Sequence, residues 1–175
     1  MAHWAAKTRP CPTALDEAMS NAGEPSRHLW FLDTEVTIRV SHVDGSDGIS
    51  VLEHRAPYGN STPLHIHRNE DEIFHILEGK MLFRVADRDV HAGTGNTLLA
   101  PKGIPHTYRV DSANGARWLT IMRGEDFEGF VRSCGRLAER SGLPDPSEPP
   151  TPEQVEALAA ECMRHGIELV GPPLH

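Results

Sequence analysis

Cysteine is scarce in this chain. Cys11, Cys134 and Cys162 are its only three, odd in number, far apart and never spaced as C-x-x-C. That excludes a disulfide framework and a thiolate zinc site, and leaves buried or incidental thiols. Long apolar runs are missing too. The longest fall far short of the roughly 20 residues a membrane helix needs, and the opening MAHWAAKTRPCP lacks the continuous apolar core of a secretory signal. A soluble, cytoplasmic protein without a membrane partner is the expectation. Positive charge is in short supply: 17 Lys and Arg stand against 25 Asp and Glu, a formal charge of -8, and the basic residues are scattered. No basic stripe and no helix-turn-helix pattern is present, so nucleic acid is excluded as a partner.

What is present is enough chain, 175 residues, to bury a sizeable core in one domain. Residues 1–28 read as an arm rich in Ala, Pro, Ser and charge, with a turn or two of helix between Thr13 and Met19. From residue 29 to 124 the pattern becomes short apolar or alternating runs, LWFL, VTIRV, ISVLEHR, EIFHIL, KMLFRV, NTLLAP, HTYRV and RWLTIMR. Gly, Asp, Asn and Pro separate them. Evenly spaced short strands with turn residues between them predict an all-β antiparallel barrel or double-sheet jelly roll.

Residues 125–175 predict a helical extension packed on the barrel. Phe127, Phe130, Val131, Cys134, Leu137 and Ala138 recur at helical spacing, with Gly142 and Pro144 as the stop. Thr151 and Pro152 open a second helix whose apolar face is Val155, Leu158, Ala159, Cys162 and Met163. Gly166 is placed to cap it. Ile167 to Val170 predicts a short strand that the double proline ends. Covering outer sheet surface is the expected role of the helices, with a lid or a dimer contact as alternatives. An apolar strand near His28 to Leu32, preceded by a long arm, suits exchange between two barrels, and a homodimer is expected.

The chemistry lies in the histidines. His65 and His67 stand two apart on a strand, so both imidazoles share one face. Glu72 opens the run EIFHIL, where a tight connection brings its carboxylate back to the same point. The segment GNTLLAPKGIPHTYRV turns at Lys102-Gly103 and presents His106 at the start of the next strand. Imidazole and carboxylate together suit one divalent transition-metal ion: iron, nickel, manganese, cobalt, copper or zinc. Three imidazoles and one carboxylate leave one or two positions open on a five- or six-coordinate ion, whereas a structural zinc site is closed.

These residues carry a resemblance. GNSTPLHIHRNEDEIFHILEG, residues 59–79, resembles the first cupin motif at Gly59, His65, His67, Glu72 and Gly79. Residues 95–110 resemble the second at Gly95, Pro101, Gly103 and His106, with Val110 where that motif carries Asn. The resemblance implies a double-stranded β-helix with His65, His67, Glu72 and His106 as metal ligands. A barrel followed by a Gly-Glu-Asp-Phe helix, a proline-rich linker, a second helix and GIELVGPPL is similar to bacterial single-domain quercetinase-like cupins. That likeness implies a dioxygenase whose partners are a small enolisable substrate and dioxygen, and in which Glu72 also takes the substrate hydroxyl proton. Cupins of this size include non-oxidative cyclases, isomerases and decarboxylases, as well as small-molecule binders.

Strand alternation places Phe74 and Ile76 on the inward face with Glu72, and Tyr108 with His106, as candidates for the substrate pocket. Met81, Phe83 and Met122 are further candidates. His75 falls on the opposite face. His54 is a structural residue or lies just behind the ligands, His42 and His91 read as surface or turn positions, and Glu70 and Asp71 as a solvated acidic turn.

Overall fold

The computed structural model describes residues 27–146 and 149–175. The segment Thr13 to Met19 and Cys11 lie outside the described residues, as does nearly all of the arm. Twelve strands and two helices are described: β1 His28–Phe31, β2 Thr34–Val40, β3 Ile49–Ala56, β4 Pro63–His67, β5 Glu72–Glu78, β6 Lys80–Val85, β7 Arg88–Gly93, β8 Thr97–Ala100, β9 His106–Val110, β10 Ala116–Arg123, α1 Asp126–Cys134, β11 Arg136–Leu137, α2 Pro152–Arg164 and β12 Ile167–Pro173.

The strands form two antiparallel sheets, β11-β1-β2-β3-β10-β5-β8 and β12-β4-β9-β6-β7. Period-two burial builds the space between them. Val36 and Ile38 of β2, Leu52 and His54 of β3, Glu72, Phe74 and Ile76 of β5, and Trp118, Thr120 and Met122 of β10 all point inward and are buried. The expected double-sheet jelly roll is the observed fold. Its apolar core gathers Phe74, Ile76, Met81, Phe83, Val110 and Trp118. Gly79 makes the turn from β5 to β6 at φ 91°, where a Cβ atom would stand 2.7 Å from the Gly115 carbonyl oxygen. Only glycine meets both the backbone angle and that approach.

The helical extension departs from its expected form in three places. Helix α1 stops at Cys134, because Gly135 turns extended (φ -81°, ψ 158°). Leu137 is therefore not on the helix: it pairs with Leu29 in β11, and Arg136 pairs with Trp30. The helical spacing of Leu137 and Ala138 was fortuitous, and the open edge of β1 captured the chain instead. The β1 edge from which strand exchange was expected is thus covered by β11.

Helix α2 begins as expected, with Thr151 and Gln154 forming a reciprocal capping box. Gly166 follows its end at φ 63°. Its apolar face is narrower than its sequence, since Val155 and Met163 are exposed while Cys162 is buried and Leu158 and Ala159 are half-buried. Strand β12 does not stop at the prolines but runs to Pro173 with register shifts around Gly171. It is the edge of its sheet, where a missing N–H is tolerated on the open side.

Two side chains tie α1 to the barrel. Glu128 is buried and accepts from Ser41 Oγ at 2.7 Å, His42 N at 2.8 Å and Arg132 Nε at 2.9 Å. Glu70, expected in a solvated turn, is instead buried. Its two carboxylate oxygens accept from the backbone N–H groups of Asp126 and Phe127 at 2.9 and 3.0 Å. A negative charge there satisfies donors that the first turn of a helix leaves free, and it complements the helix dipole. Asp71 remains exposed and accepts from Lys102 N. Cys134 and Cys162 are free thiols, and burial pushes that of Cys162 up to about 11. Among the described residues no helix is long and apolar enough to cross a membrane.

Candidate metal centre

Strand β4 places His65 and His67 on its inward face, and both are buried. His106 begins β9 directly across from His65. After β4 the chain crosses to the other sheet, and Glu72 enters as the first residue of β5, opposite Ala100 of β8 and Met122 of β10. The crossing is pinned where it leaves β4: Arg68 N donates to Gly166 O, and Gly103 N donates to His67 O, each at 2.8 Å. The four side chains thus converge from both sheets, with the imidazole centres of His65, His67 and His106 between 4.4 and 5.5 Å apart.

Hydrogen bonding orients the rings. His65 Nδ1 lies 2.8 Å from Pro63 O and His106 Nδ1 3.0 Å from Ile104 O. A carbonyl can only accept, so each Nδ1 carries a proton and each Nε2 is turned toward the site. This is how metal-binding imidazoles are usually held. Glu72 Oε2 is 2.9 Å from His106 Nε2 and 3.3 Å from His67 Nε2. The second approach lacks hydrogen-bond alignment, and His67 Nε2 remains a buried nitrogen without a partner. Burial of that kind is costly unless something else takes the lone pair.

A metal ion fits this arrangement. Ligand atoms about 2.1 Å from one ion lie about 3.0 Å apart at a right angle and about 4.2 Å apart across it. The four atoms offered by His65, His67, Glu72 and His106 all fall within 4.8 Å of one another. The protonation of His65 and Glu72 suits it as well, while at His106 burial is outweighed by the Glu72 carboxylate, which raises the imidazole; an ion would displace that proton. Burial presses the His65 imidazole down to about 3, with the neighbouring His106 and His67 adding to the effect. Burial alone would raise Glu72, but His67 and His106 more than offset this and hold it well below the usual carboxylate range. A neutral imidazole and an ionised carboxylate are the forms a metal takes.

His65, His67 and Glu72 line a cavity of about 130 Å³, with His106 just behind them against Glu72. Of the residues expected around it, Phe74 and Tyr108 line it. Ile76, Met81, Phe83 and Met122 do not. All four are buried: Ile76, Met81 and Phe83 pack in the apolar core, and Met122, the β10 partner of Glu72, lies outside the cavity lining. Burial pushes the Tyr108 hydroxyl far up, so it stays protonated. His54, stacked on Trp118 with ring centres 5.1 Å apart, and Trp118 itself line the wall as well. So do Phe127 and Phe130 of α1, Leu158 and Cys162 of α2, and Ile167 and Leu169 of β12. The C-terminal elements, expected over outer sheet surface, therefore form part of the cavity wall. Helical periodicity marks an apolar face but not the surface it meets. His75 bonds Thr97 Oγ1 outside the site, His91 is exposed and His42 binds Glu128.

An antiparallel double-sheet barrel carrying three histidines and a glutamate at one mouth defines the cupin class. Residues 51–122 match the cupin domain family model, and this barrel is a cupin domain. The chain is 28% identical over 85 residues to the quercetin 2,3-dioxygenase of Bacillus subtilis, an alignment covering 49% of this chain and 25% of that enzyme. It is 35% identical over 57 residues to an uncharacterized protein of Methanocaldococcus jannaschii, covering 33% and 46% of the two chains. The chain thus spans a quarter and under half of the length of these curated relatives. Among solved structures, the cupin domain of Schizosaccharomyces pombe Cnp3 superposes with a TM-score of 0.50 at 16% identity, over 64% of this chain and 79% of that one. That likeness is one of fold.

Proposed function

We propose that the chain is a metal-dependent dioxygenase acting on a small, enolisable aromatic compound. The observation that carries this reading is a buried three-histidine, one-glutamate cluster opening into a cavity walled by Phe74, Tyr108, Phe127 and Phe130. The partial identity to a quercetin 2,3-dioxygenase supports it. His65, His67, His106 and Glu72 would hold the ion, which would supply Lewis-acid and redox chemistry when bound.

The chain's own groups do the rest. Pro63 and Ile104 carbonyls fix the rings of His65 and His106, so each Nε2 stays turned toward the site. Glu72, ionised at neutral pH, accepts the proton of the substrate hydroxyl. The aromatic wall excludes water and sandwiches a planar ring. Both atoms of dioxygen end in the product, so no external reductant is required.

The test is dioxygen uptake by metal-loaded protein, offered a panel of flavonols and smaller hydroxy-ketones. Uptake with at least one compound, in step with its consumption, is the expected result. No uptake with any of them overturns the reading. Turnover under strict anaerobiosis would assign the site to non-oxidative cyclisation, isomerisation or decarboxylation.

A further inference from the structure

Four of the residues that line the cavity each carry a buried side-chain atom without a hydrogen-bond partner: His67 Nε2, Asn60 Oδ1, His54 Nε2 and Trp118 Nε1. His67 is accounted for by the metal. Asn60 sits on the turn before β4, where its amide already donates to Asp33. The last two are unexplained, and they are neighbours. His54 and Trp118 face each other across β3 and β10, stacked nearly parallel at 7° and only 4% and 1% exposed.

Orphaned polar atoms in an apolar wall are costly and are kept where a ligand satisfies them. We propose that His54 Nε2 and Trp118 Nε1 form a second recognition point that hydrogen-bonds a hydroxyl or carbonyl oxygen of the substrate. The substrate class is then a planar ring compound oxygenated at both ends, one end at the metal and the other at this pair. This rests on the metal-centre reading above.

The geometry separates the two points. Met122 is the β10 partner of Glu72, and Trp118 is four residues from it, about 13 Å along a strand. Phe127 bridges the interval, its ring 6.0 Å from His54 and 5.6 Å from His67. The donor chemistry is mixed. Trp118 can only donate, while His54, kept neutral because burial lowers it to about 4, donates from one nitrogen and accepts at the other. A hydroxyl can use both partners. A carbonyl uses the donors.

Two matched pairs of probes differ by one distal hydroxyl and share their metal-chelating end: kojic acid with allomaltol, and 3,4′-dihydroxyflavone with 3-hydroxyflavone. Calorimetric titration of the cobalt-loaded protein should show the hydroxylated member of at least one pair binding roughly five- to tenfold tighter, the worth of one hydrogen bond. His54→Phe should abolish that preference, keep its metal content and melt no lower than the unaltered protein. Trp118→Phe repeats the test at the second atom, so a poorly folding variant leaves the other to decide. Metal-dependent binding without a distal preference in either pair overturns this inference alone. A preference that survives both substitutions does so as well. Binding of all four probes that ignores the metal overturns the metal-centre reading and the inference with it.

Discussion

Replacing Glu128 by Ala should destabilise the protein by about 3–5 kcal/mol, the usual cost of removing one partner from a buried charged network. The carboxylate is buried and ties the Ser41-His42 turn to α1, bonding Ser41 Oγ, the His42 backbone and ring, and Arg132 of its own helix. Each bond to a charged group is worth about 1.5–3 kcal/mol. They are not additive, because His42 and Arg132 can turn to water, whereas Ser41 is 2% exposed and cannot. Urea unfolding at pH 7 measures the loss, and the melting temperature should fall by about 6–20 °C. The sign with pH follows from the carboxyl itself. Burial would raise it, but the Ser41, His42 and Arg132 bonds hold it below its ordinary 4.5. Its contribution is therefore fully present above pH 4.5 and disappears as pH falls through the lowered folded value. The gap between unaltered and variant proteins should accordingly shrink in acid. A loss under 1 kcal/mol at pH 7, or a gap that does not narrow below pH 4.5, would refute the reasoning.

Changing His65 and His67 together to Ala should abolish stoichiometric metal by elemental analysis, and with it any rise in melting temperature on adding the ion. Full occupancy in that variant would sink the metal centre. Glu70→Ala should cost about 1–2 kcal/mol in urea unfolding, since it strips the acceptor from the first turn of α1; an unchanged midpoint would mean that water replaces the carboxylate. Phe127→Ala should cost about 2 kcal/mol, a fraction of the full price of a buried ring because Phe127 is half-buried. The same change should keep the metal and shift the preferred probe toward bulkier compounds, as read by calorimetry; preference for the smaller ones would place Phe127 outside the cavity.

The four candidate ligands were legible because two constraints coincide at them. Alternation puts His65 and His67 on one face of β4, and the turn at Lys102-Gly103 delivers His106 to the matching row of β9. The barrel strands were legible for the same reason, each carrying its period of two. Where one period fits two outcomes, sequence reading runs out. Leu137 continued the helical spacing yet joined a sheet edge, since no local pattern reports that β1 lacks a partner there. Glu70 looked like any acid in a turn of three, and its role appears only once α1 arrives from 56 residues away. His54 sat on an inward position, but its missing partner is a fact about three-dimensional neighbours.

The strand that bears His65 and His67 borrows its outer neighbour from far along the chain. Ile167 pairs with His67 and Leu169 with His65, from a hundred positions downstream, a closure that long-range contacts make slow. During synthesis the histidines therefore leave the ribosome long before the backbone that braces them. Until β12 docks, β4 is an unpaired edge next to metal-seeking side chains, exposed to whatever ions and other nascent strands are nearby. A metal ion held by these four residues would thus be loaded late in the biogenesis of this protein, from the pool met at that moment.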